Sequence, residues 1–260
     1  MHFTRAIVRI PGENFSEGLT SVGQGTLGAP VYAKVLEQHA AYCQALEACG
    51  LQLTVLPKDL KHPDSTFVED TAVLTPHAAV LTRPGAESRE GEVEGIRGAV
   101  LQFFQKHYEI TAPGTVDGGD ICEAGTHFFI GISHRTNEEG ARQLAEYLKK
   151  EGCTSSTVDI RQMTTILHLK SGIACIDDQT LVLMEEMADR PEFKGYRIIR
   201  VAEEESYAAN CVRINDRVFL PAGFPRLEAS LKQHGYTPLV LDMSEYRKMD
   251  GGLSCLSLRF

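Results

Sequence analysis

Short apolar runs recur along this chain, and they recur in pairs. "TAVLTPHAAVLTRP" and "CVRINDRVFLPAG" each read as two strands joined by a tight turn, rich in Val, Ile, Leu and Phe and bounded by Pro, Gly, Asn or Asp. The second carries Asn215-Asp216 at its turn, a hairpin signal because both residues tolerate the left-handed backbone such turns require. Further strand-like runs are "RAIVRI", "LQLTVL", "HFFIGI", "GIACI", "TLVLM", "YRIIRV", "TPLVLD" and "SCLSLRF". Between some of these groups the apolar spacing changes to three and four. "APVYAKVLEQHAAYCQALEACG" reads as a helix stopped by Gly50, and "RLEASLKQHG" as a shorter one. "GAESREGEVEGIRGAVLQFFQKH" reads as a helix whose acidic first half suits the N-terminal dipole. "TNEEGARQLAEYLKKEG" opens on a capping-type Thr136 and ends on lysines and Gly152. A strict alternation of one strand and one helix would give a doubly wound sheet. Paired strands separated by single helices instead predict a mixed α/β fold of repeated strand–strand–helix units with internal pseudo-symmetry.

The chain has 260 residues, 43% of them hydrophobic and 23% charged, which suffices for a sizeable core. No low-complexity stretch or interdomain linker interrupts it, so one domain over residues 1–260 is expected. The net charge of -9 argues against a nucleic-acid partner, which calls for a basic footprint, and is compatible with a small cationic ligand. No apolar run approaches the ~18 residues of a membrane span, and "MHFTRAIVRI" enters a strand pattern without a basic-then-apolar leader, so no membrane partner and a cytoplasmic location are expected. The seven cysteines are scattered, odd in number and without a C-x-x-C pair, which fits a reducing compartment and no disulfide framework. "GQGTLG" matches G-x-G-x-x-G at Gly23, Gly25 and Gly28, but a polar segment precedes it and Ala29-Pro30 follows, so it reads as a mobile lid loop rather than a nucleotide fingerprint. Nothing in the motif content calls for a metal or a cofactor.

Four stretches concentrate groups that do chemistry. "HPDSTFVEDT" places Asp64, Glu69 and Asp70 beside a strand, and converging carboxylates call for a compensating cation or proton. "GTVDGGDIC" flanks two glycines with Asp117 and Asp120; this is a turn signal and also a place where a ligand can approach the backbone. "LHLKSGIACI" sets His168 in an alternating apolar run, where a packed histidine is the common outcome. "DGGLSCLSLRF" ends the chain with Cys255 just after two glycines. A cysteine nucleophile and a distant histidine meet in space, not in sequence, so the last two stretches form a natural pair.

Taken in order, "FVEDTAVL", "TRPGAESREGE", "APGTVDGGDI", "HFFIGISHRTNEEGA", "LHLKSG", "EEESYAANC" and "DGGLSCLSLRF" resemble the dimethylarginine dimethylaminohydrolase family of the guanidine-modifying superfamily, which also holds arginine deiminase and the amidinotransferases. The resemblance extends from the first strand to the last residue. It implies a five-bladed α/β propeller with pseudo-fivefold strand–strand–helix repeats around a central substrate channel, hydrolysis of a methylated arginine to citrulline, and a homodimer. It further implies Cys255 as nucleophile and His168 as general acid/base. By the same resemblance Asp70 and Asp117 hold the guanidinium with Glu69 beside them, Arg89 and Arg135 bind the substrate α-carboxylate, and Asp64 with the backbone of Leu19 binds the α-amino group. Asp117 stands where some bacterial relatives carry Glu, and the "VGQGTLG" loop is longer than in close bacterial relatives. Deimination of unmethylated arginine and non-catalytic binding of an arginine-like cation are the alternatives. The chain is short for the arginine deiminases, which carry an extra helical domain, and intact Cys255 and His168 argue against a mere binder.

Overall fold

The structure, a computed structural model, describes residues 2–20 and 27–260. These residues form five sheets of three strands. β1 (Arg5–Arg9) and β2 (Gln52–Leu56) share a sheet with the last strand, β15 (Leu258–Arg259). β3 (Ala72–Leu74), β4 (Ala79–Leu81) and β5 (His107–Glu109) make the second sheet, and β6 (Ile121–Ala124), β7 (His127–Ile132) and β8 (Thr154–Asp159) the third. The fourth holds β9 (Ile173–Asp177), β10 (Thr180–Met184) and β11 (Arg197–Val201), the fifth β12 (Val212–Ile214), β13 (Arg217–Pro221) and β14 (Pro238–Leu241).

Every sheet repeats one pattern. The middle strand pairs antiparallel with one neighbour and parallel with the other, as β4 does with β3 and β5. In four sheets the antiparallel side is a hairpin of consecutive strands, β3–β4 and β12–β13 being the two pairs read from the sequence, whereas β1 pairs with β15; Asn215 at the β12–β13 turn has φ 53°, as that turn demands. The parallel side needs a crossover. α1 (Tyr32–Ala48), α2 (Glu92–Leu101), α3 (Glu138–Lys150) and α4 (Pro225–Gln233) supply it in four sheets, and two 3-10 turns, Pro191–Phe193 and Glu185–Met187, replace a helix in the fourth. A cavity of about 620 Å³ is walled by residues of β3, β6, β9, β12 and β15, one strand from each sheet, so these five surround a common axis. The architecture is the five-bladed α/β propeller.

The blades share their cores. Along β1, Ala6 and Val8 face Val35, Tyr42 and Leu46 of α1, while Ile7 joins Val93, Ile96 and Val100 of α2. This alternation follows from the two-residue period of a strand. Each large side chain so buried contributes about 1.5–3 kcal/mol, and Leu46→Ala, which leaves a cavity, costs about 2–5 kcal/mol. The ring closes where the ends of the chain meet: Thr4 and Arg5 donate backbone N–H groups to the Phe260 carbonyl at 2.9 and 2.8 Å, and the Phe260 ring lies 5.0 and 5.1 Å from those of Phe103 and Phe104. Cys255 precedes this closing strand by three residues, so the same contacts fix its place.

Two local expectations need correction. The segment from Gly85 to His107 is not one helix: a 3-10 turn Glu87–Arg89 comes first and α2 starts only at Glu92. The break lets Arg89 turn into buried ion pairs, and Gly91 lies so close to the His62 ring that a Cβ would collide with it. The cap of α3 is Asn137, whose Oδ1 accepts from Gly140 N at 2.8 Å, because the Thr136 hydroxyl is engaged elsewhere. Of the lid segment expected over Leu19–Gly28, residues 21–26, with Gly23 and Gly25, lie outside the described residues. No described helix is long and apolar enough to cross a membrane.

Candidate active site

The short turns that enter the inner strands carry the chemistry. Asp70 sits in the turn Val68–Thr71 before β3, Asp117 leads the turn Gly118–Asp120 before β6, His168 leads the turn Leu169–Ser171 before β9, and Cys255 lies in the turn Ser254–Leu256 before β15. Equivalent places in successive blades point at one axis, and this brings together residues up to 185 positions apart. Leu19, Asp64, Asp70, Arg89, Arg135, His168 and Cys255 line one small cleft of about 30 Å³. Adjacent residues face opposite ways. Asp70 and Cys255 line this front cleft, whereas Glu69 and Ser254 line the 620 Å³ cavity behind it, so the larger cavity is not the one that holds the cysteine.

The turn that carries Cys255 is clamped from behind. Ser254 donates its backbone N–H to Asn210 Oδ1 at 3.1 Å and its hydroxyl to Glu69 Oε2 at 2.8 Å. Asn210 Nδ2 donates to Ser254 Oγ at 3.0 Å and to the Lys170 carbonyl at 2.8 Å, which ties the cysteine turn to the histidine turn. A Cβ on Gly252 would collide with Asn210 Oδ1, and one on Gly251 with the Phe67 ring, so both glycines before Cys255 are steric requirements. Cys255 remains partly exposed. Burial pushes its thiol up to about 12, with Glu69 and Asp70 adding to the effect.

His168 Nε2 lies 3.0 Å from Asp117 Oδ2. Burial alone would favour the neutral ring, but Asp70, the Asp117 hydrogen bond and Asp120 outweigh it and raise His168 to about 9. Asp70 accepts from Gly119 N at 2.7 Å and from Arg89 Nη1 at 2.5 Å; burial opposes its charge, yet Arg89 and His168 hold it down to about 2. Near neutral pH the resting site therefore contains a thiol, an imidazolium and ionised Asp70. Ligand atoms of Asp70, Asp117 and His168 lie within 4.8 Å of one another, close enough for a small cation, but Arg89 and the imidazolium already supply positive charge there.

Three expected roles change with this geometry. Asp117 is fully buried and its two oxygens accept from Gly85 N at 2.7 Å and pair with His168, so it is a partner of the histidine, not a second clamp facing the cleft. Glu69 pairs with Lys170 Nζ at 2.6 Å and Arg259 Nη2 at 3.1 Å as well as Ser254, on the far side of the nucleophile, so it holds the turn instead of touching the cleft. Arg89 is 4% exposed and bound to Glu92, Asp70 and the Phe67 carbonyl, whereas Arg135 is half-buried with no ion pair among the described residues, so Arg135 is the cation available to an anionic ligand group. Asp64 and Leu19 both line the cleft: the two Asp64 oxygens accept from Leu19 N, at 3.2 and 3.1 Å, and burial raises the pKa of Asp64. Sequence reasoning missed Asn210, Lys170, Glu92 and Arg259. None carries a chemical signature of its own, although all four fall within stretches that carry the family resemblance: Glu92 in "TRPGAESREGE", Lys170 in "LHLKSG", Asn210 in "EEESYAANC" and Arg259 in "DGGLSCLSLRF".

Fold and site together define a class first. The arginine deiminase family model matches residues 62–219, which include Asp70, Asp117 and His168. At finer range the chain is 49% identical over 259 residues, 99% of its length and 100% of the relative's, to N(G),N(G)-dimethylarginine dimethylaminohydrolase of Pseudomonas aeruginosa, and 34% identical over 258 residues to the Streptomyces coelicolor protein of that name, covering 98% and 96%. A solved structure of the P. aeruginosa enzyme, a cysteine-to-serine variant complexed with citrulline, superposes with a TM-score of 0.95 at 48% identity and full coverage of both chains. The N-terminal domain of ArgZ, a cyanobacterial arginine dihydrolase, shares the fold with a TM-score of 0.83 at 18% identity, covering 98% of this chain and 97% of that one. The chain belongs to the dimethylarginine dimethylaminohydrolase family.

Proposed function

We propose that this chain, as one catalytic domain over residues 1–260, hydrolyses Nω-methylated L-arginine to L-citrulline and dimethylamine or methylamine through a covalent thiouronium on Cys255. The observation that carries the reading is the convergence of Cys255, the His168–Asp117 pair and Asp70 on one cleft, with Arg135 at its side. A guanidinium is planar and cationic, and carboxylates match its N–H groups. Asp70 holds it from one side. Arg135 takes the α-carboxylate, and Asp64 with the Leu19 backbone takes the α-amino group. The cleft of about 30 Å³ must widen to admit such a molecule.

The arriving cation favours ionisation of the Cys255 thiol, whose proton leaves to solvent, because the charge that opposed the thiolate is now balanced. The thiolate attacks the central guanidinium carbon. His168, already protonated, gives its proton to the departing amine, and the thiouronium remains. Neutral His168 then takes a proton from the attacking water. The tetrahedral adduct expels the thiolate, and the proton on the resulting urea returns the sulfur to thiol. Asp117 keeps the imidazole oriented through both proton transfers.

Two structures of relatives support this reading. The citrulline complex was obtained with a cysteine-to-serine variant, and a histidine-to-glycine variant of a dimethylarginine dimethylaminohydrolase forms an adduct with S-methyl-L-thiocitrulline. The test is citrulline release from asymmetric dimethylarginine, monomethylarginine and arginine in parallel. Turnover of the methylated substrates with little from arginine is the expected result; arginine as the best substrate, or citrulline from none, would overturn it. A homodimer belongs to the same reading, and the molar mass in solution tests it.

A further inference from the structure

Asp120 is fully buried, yet its carboxylate collects three hydrogen bonds from the loops that carry the chemistry. Oδ1 accepts from Leu169 N, the peptide next to His168, at 2.9 Å. Oδ2 accepts from Ser133 Oγ and from Thr136 Oγ1, each at 2.7 Å. Both hydroxyls are in turn acceptors. Ser133 Oγ takes Arg135 N at 2.9 Å and Thr136 N at 3.0 Å, and Thr136 Oγ1 takes Asp117 N at 3.1 Å. Ser133 and Thr136 are themselves buried. A hydroxyl has one proton to give, and an ionised carboxylate accepts only. The charge on Asp120 therefore fixes the direction of the two hydroxyl bonds: each hydroxyl must donate to Asp120, while its lone pairs take the backbone N–H groups of Arg135 and Thr136, or of Asp117.

We propose that Asp120 is a positioning residue for the reaction, a buried acceptor that orients the hydrogen bonds holding His168, Asp117 and Arg135 in mutual register. The inference rests on the function proposed above but acts through geometry that exists in the free protein. Burial pushes Asp120 up to about 6, against the pull of His168 and the two hydroxyls, so it is ionised at neutral pH. A longer acid would not substitute, since a Cβ added at Gly131 would lie only 3.1 Å from Asp120 Oδ1, which marks how tightly the carboxylate is enclosed. Asp120→Asn keeps the size but brings a donor. If its amide nitrogen faces the hydroxyls, both lose the acceptor of their proton, and Ser133 Oγ, whose lone pairs already take Arg135 N and Thr136 N, is offered a third donor; if it faces the other way, the Leu169 N–H meets another donor.

The experiment compares Asp120→Asn, Thr136→Val and Thr136→Ser with the unaltered protein. Two quantities are read: kcat per folded molecule on asymmetric dimethylarginine, and the titration of the His168 imidazole by NMR in the free protein. Asp120→Asn is expected to lose at least about tenfold in kcat and to lower the imidazole midpoint while the far-ultraviolet dichroism is unchanged. Thr136→Val, which keeps the shape and removes the hydroxyl, should lose rate as well, and Thr136→Ser should recover most of it. A purely structural carboxylate would lower Tm and leave kcat per folded molecule alone; because its charge by itself raises His168, the discriminating midpoint is that of Thr136→Val, which removes no charge and should still shift it. Asp120→Asn within twofold of normal kcat would overturn the proposal, as would Thr136→Val equal to Thr136→Ser in rate and midpoint, and the second comparison decides if Asp120→Asn does not fold. The imidazole titration of Thr136→Val needs no substrate, so it still separates the outcomes if the substrate assignment itself fails.

Discussion

The imidazole of His168 should make the stability of this protein fall between pH 6.5 and about 9. Its pKa is raised from 6.5 to about 9 against the cost of burial, chiefly by Asp70 and the bond to Asp117. A group raised on folding contributes stability that is complete below its unfolded value and is lost as pH rises through its folded value. The difference amounts to about 3 kcal/mol, a large share of the 5–15 kcal/mol typical of whole domains. The perturbation is His168→Gln, which removes the titration and keeps an amide able to donate to Asp117. Urea denaturation at several pH values from 6 to 10 gives the assay. The gap in unfolding free energy between the two proteins should shrink by about 3 kcal/mol across that interval, since titrations elsewhere in the chain are common to both and cancel. A guanidinium ligand beside Asp70 should compete for the same negative charge and shift the imidazole titration downward. Parallel stability curves for the two proteins, or an imidazole that titrates near 6.5 in the free protein, would refute the electrostatic account of the site.

The two arginines should separate. Arg135→Ala should mainly raise KM, because carboxylate binding is shared by ground and transition states, whereas Arg89→Ala should lower kcat and cost about 3–5 kcal/mol of stability by leaving Asp70 and Glu92 buried without their cation; steady-state kinetics with denaturation curves distinguishes them, and matching effects in both variants would count against the assignment. Glu69→Gln should weaken the hold on Ser254 and leave Lys170 and Arg259 uncompensated, so kcat should drop with little change in KM, and a change confined to KM would return Glu69 to direct substrate contact.

Much of the repeat was legible because strand pairing is local. The hairpin turns at Asn215 and between β3 and β4 are written in a few consecutive residues, and so are the helix stops at Gly50 and Gly152 with φ of 89° and 77°. The closing pair β1–β15 joins the two ends of the chain, and no neighbouring residue could signal it. The same distinction runs through the site. Cys255, His168 and Asp70 stand out by residue type beside glycines and strands. The partner of a carboxylate does not: Asp117 reaches Gly85 across 32 positions and His168 across 51, so whether it faces a ligand or a histidine is decided by tertiary geometry alone. Thr136 carries a local signal for a helix cap, but the buried Asp120 competes for its hydroxyl and Asn137 takes the cap. Arg89 sits in a run that reads as a continuous helix, and the break that turns it inward depends on contacts with His62 and Asp70.

The central claim is that Cys255 forms the covalent intermediate and His168 resolves it. Both can be read in one measurement on His168→Gly. The variant is mixed with a substrate analogue that carries a good leaving group, quenched in acid, digested and examined by mass spectrometry. Without the base that activates water the thiouronium should persist, so the peptide containing Cys255 should carry the added mass and release of citrulline should slow by about 100- to 10,000-fold. Added mass on any of the other six cysteines, or rapid citrulline release with no adduct at Cys255, would contradict the account.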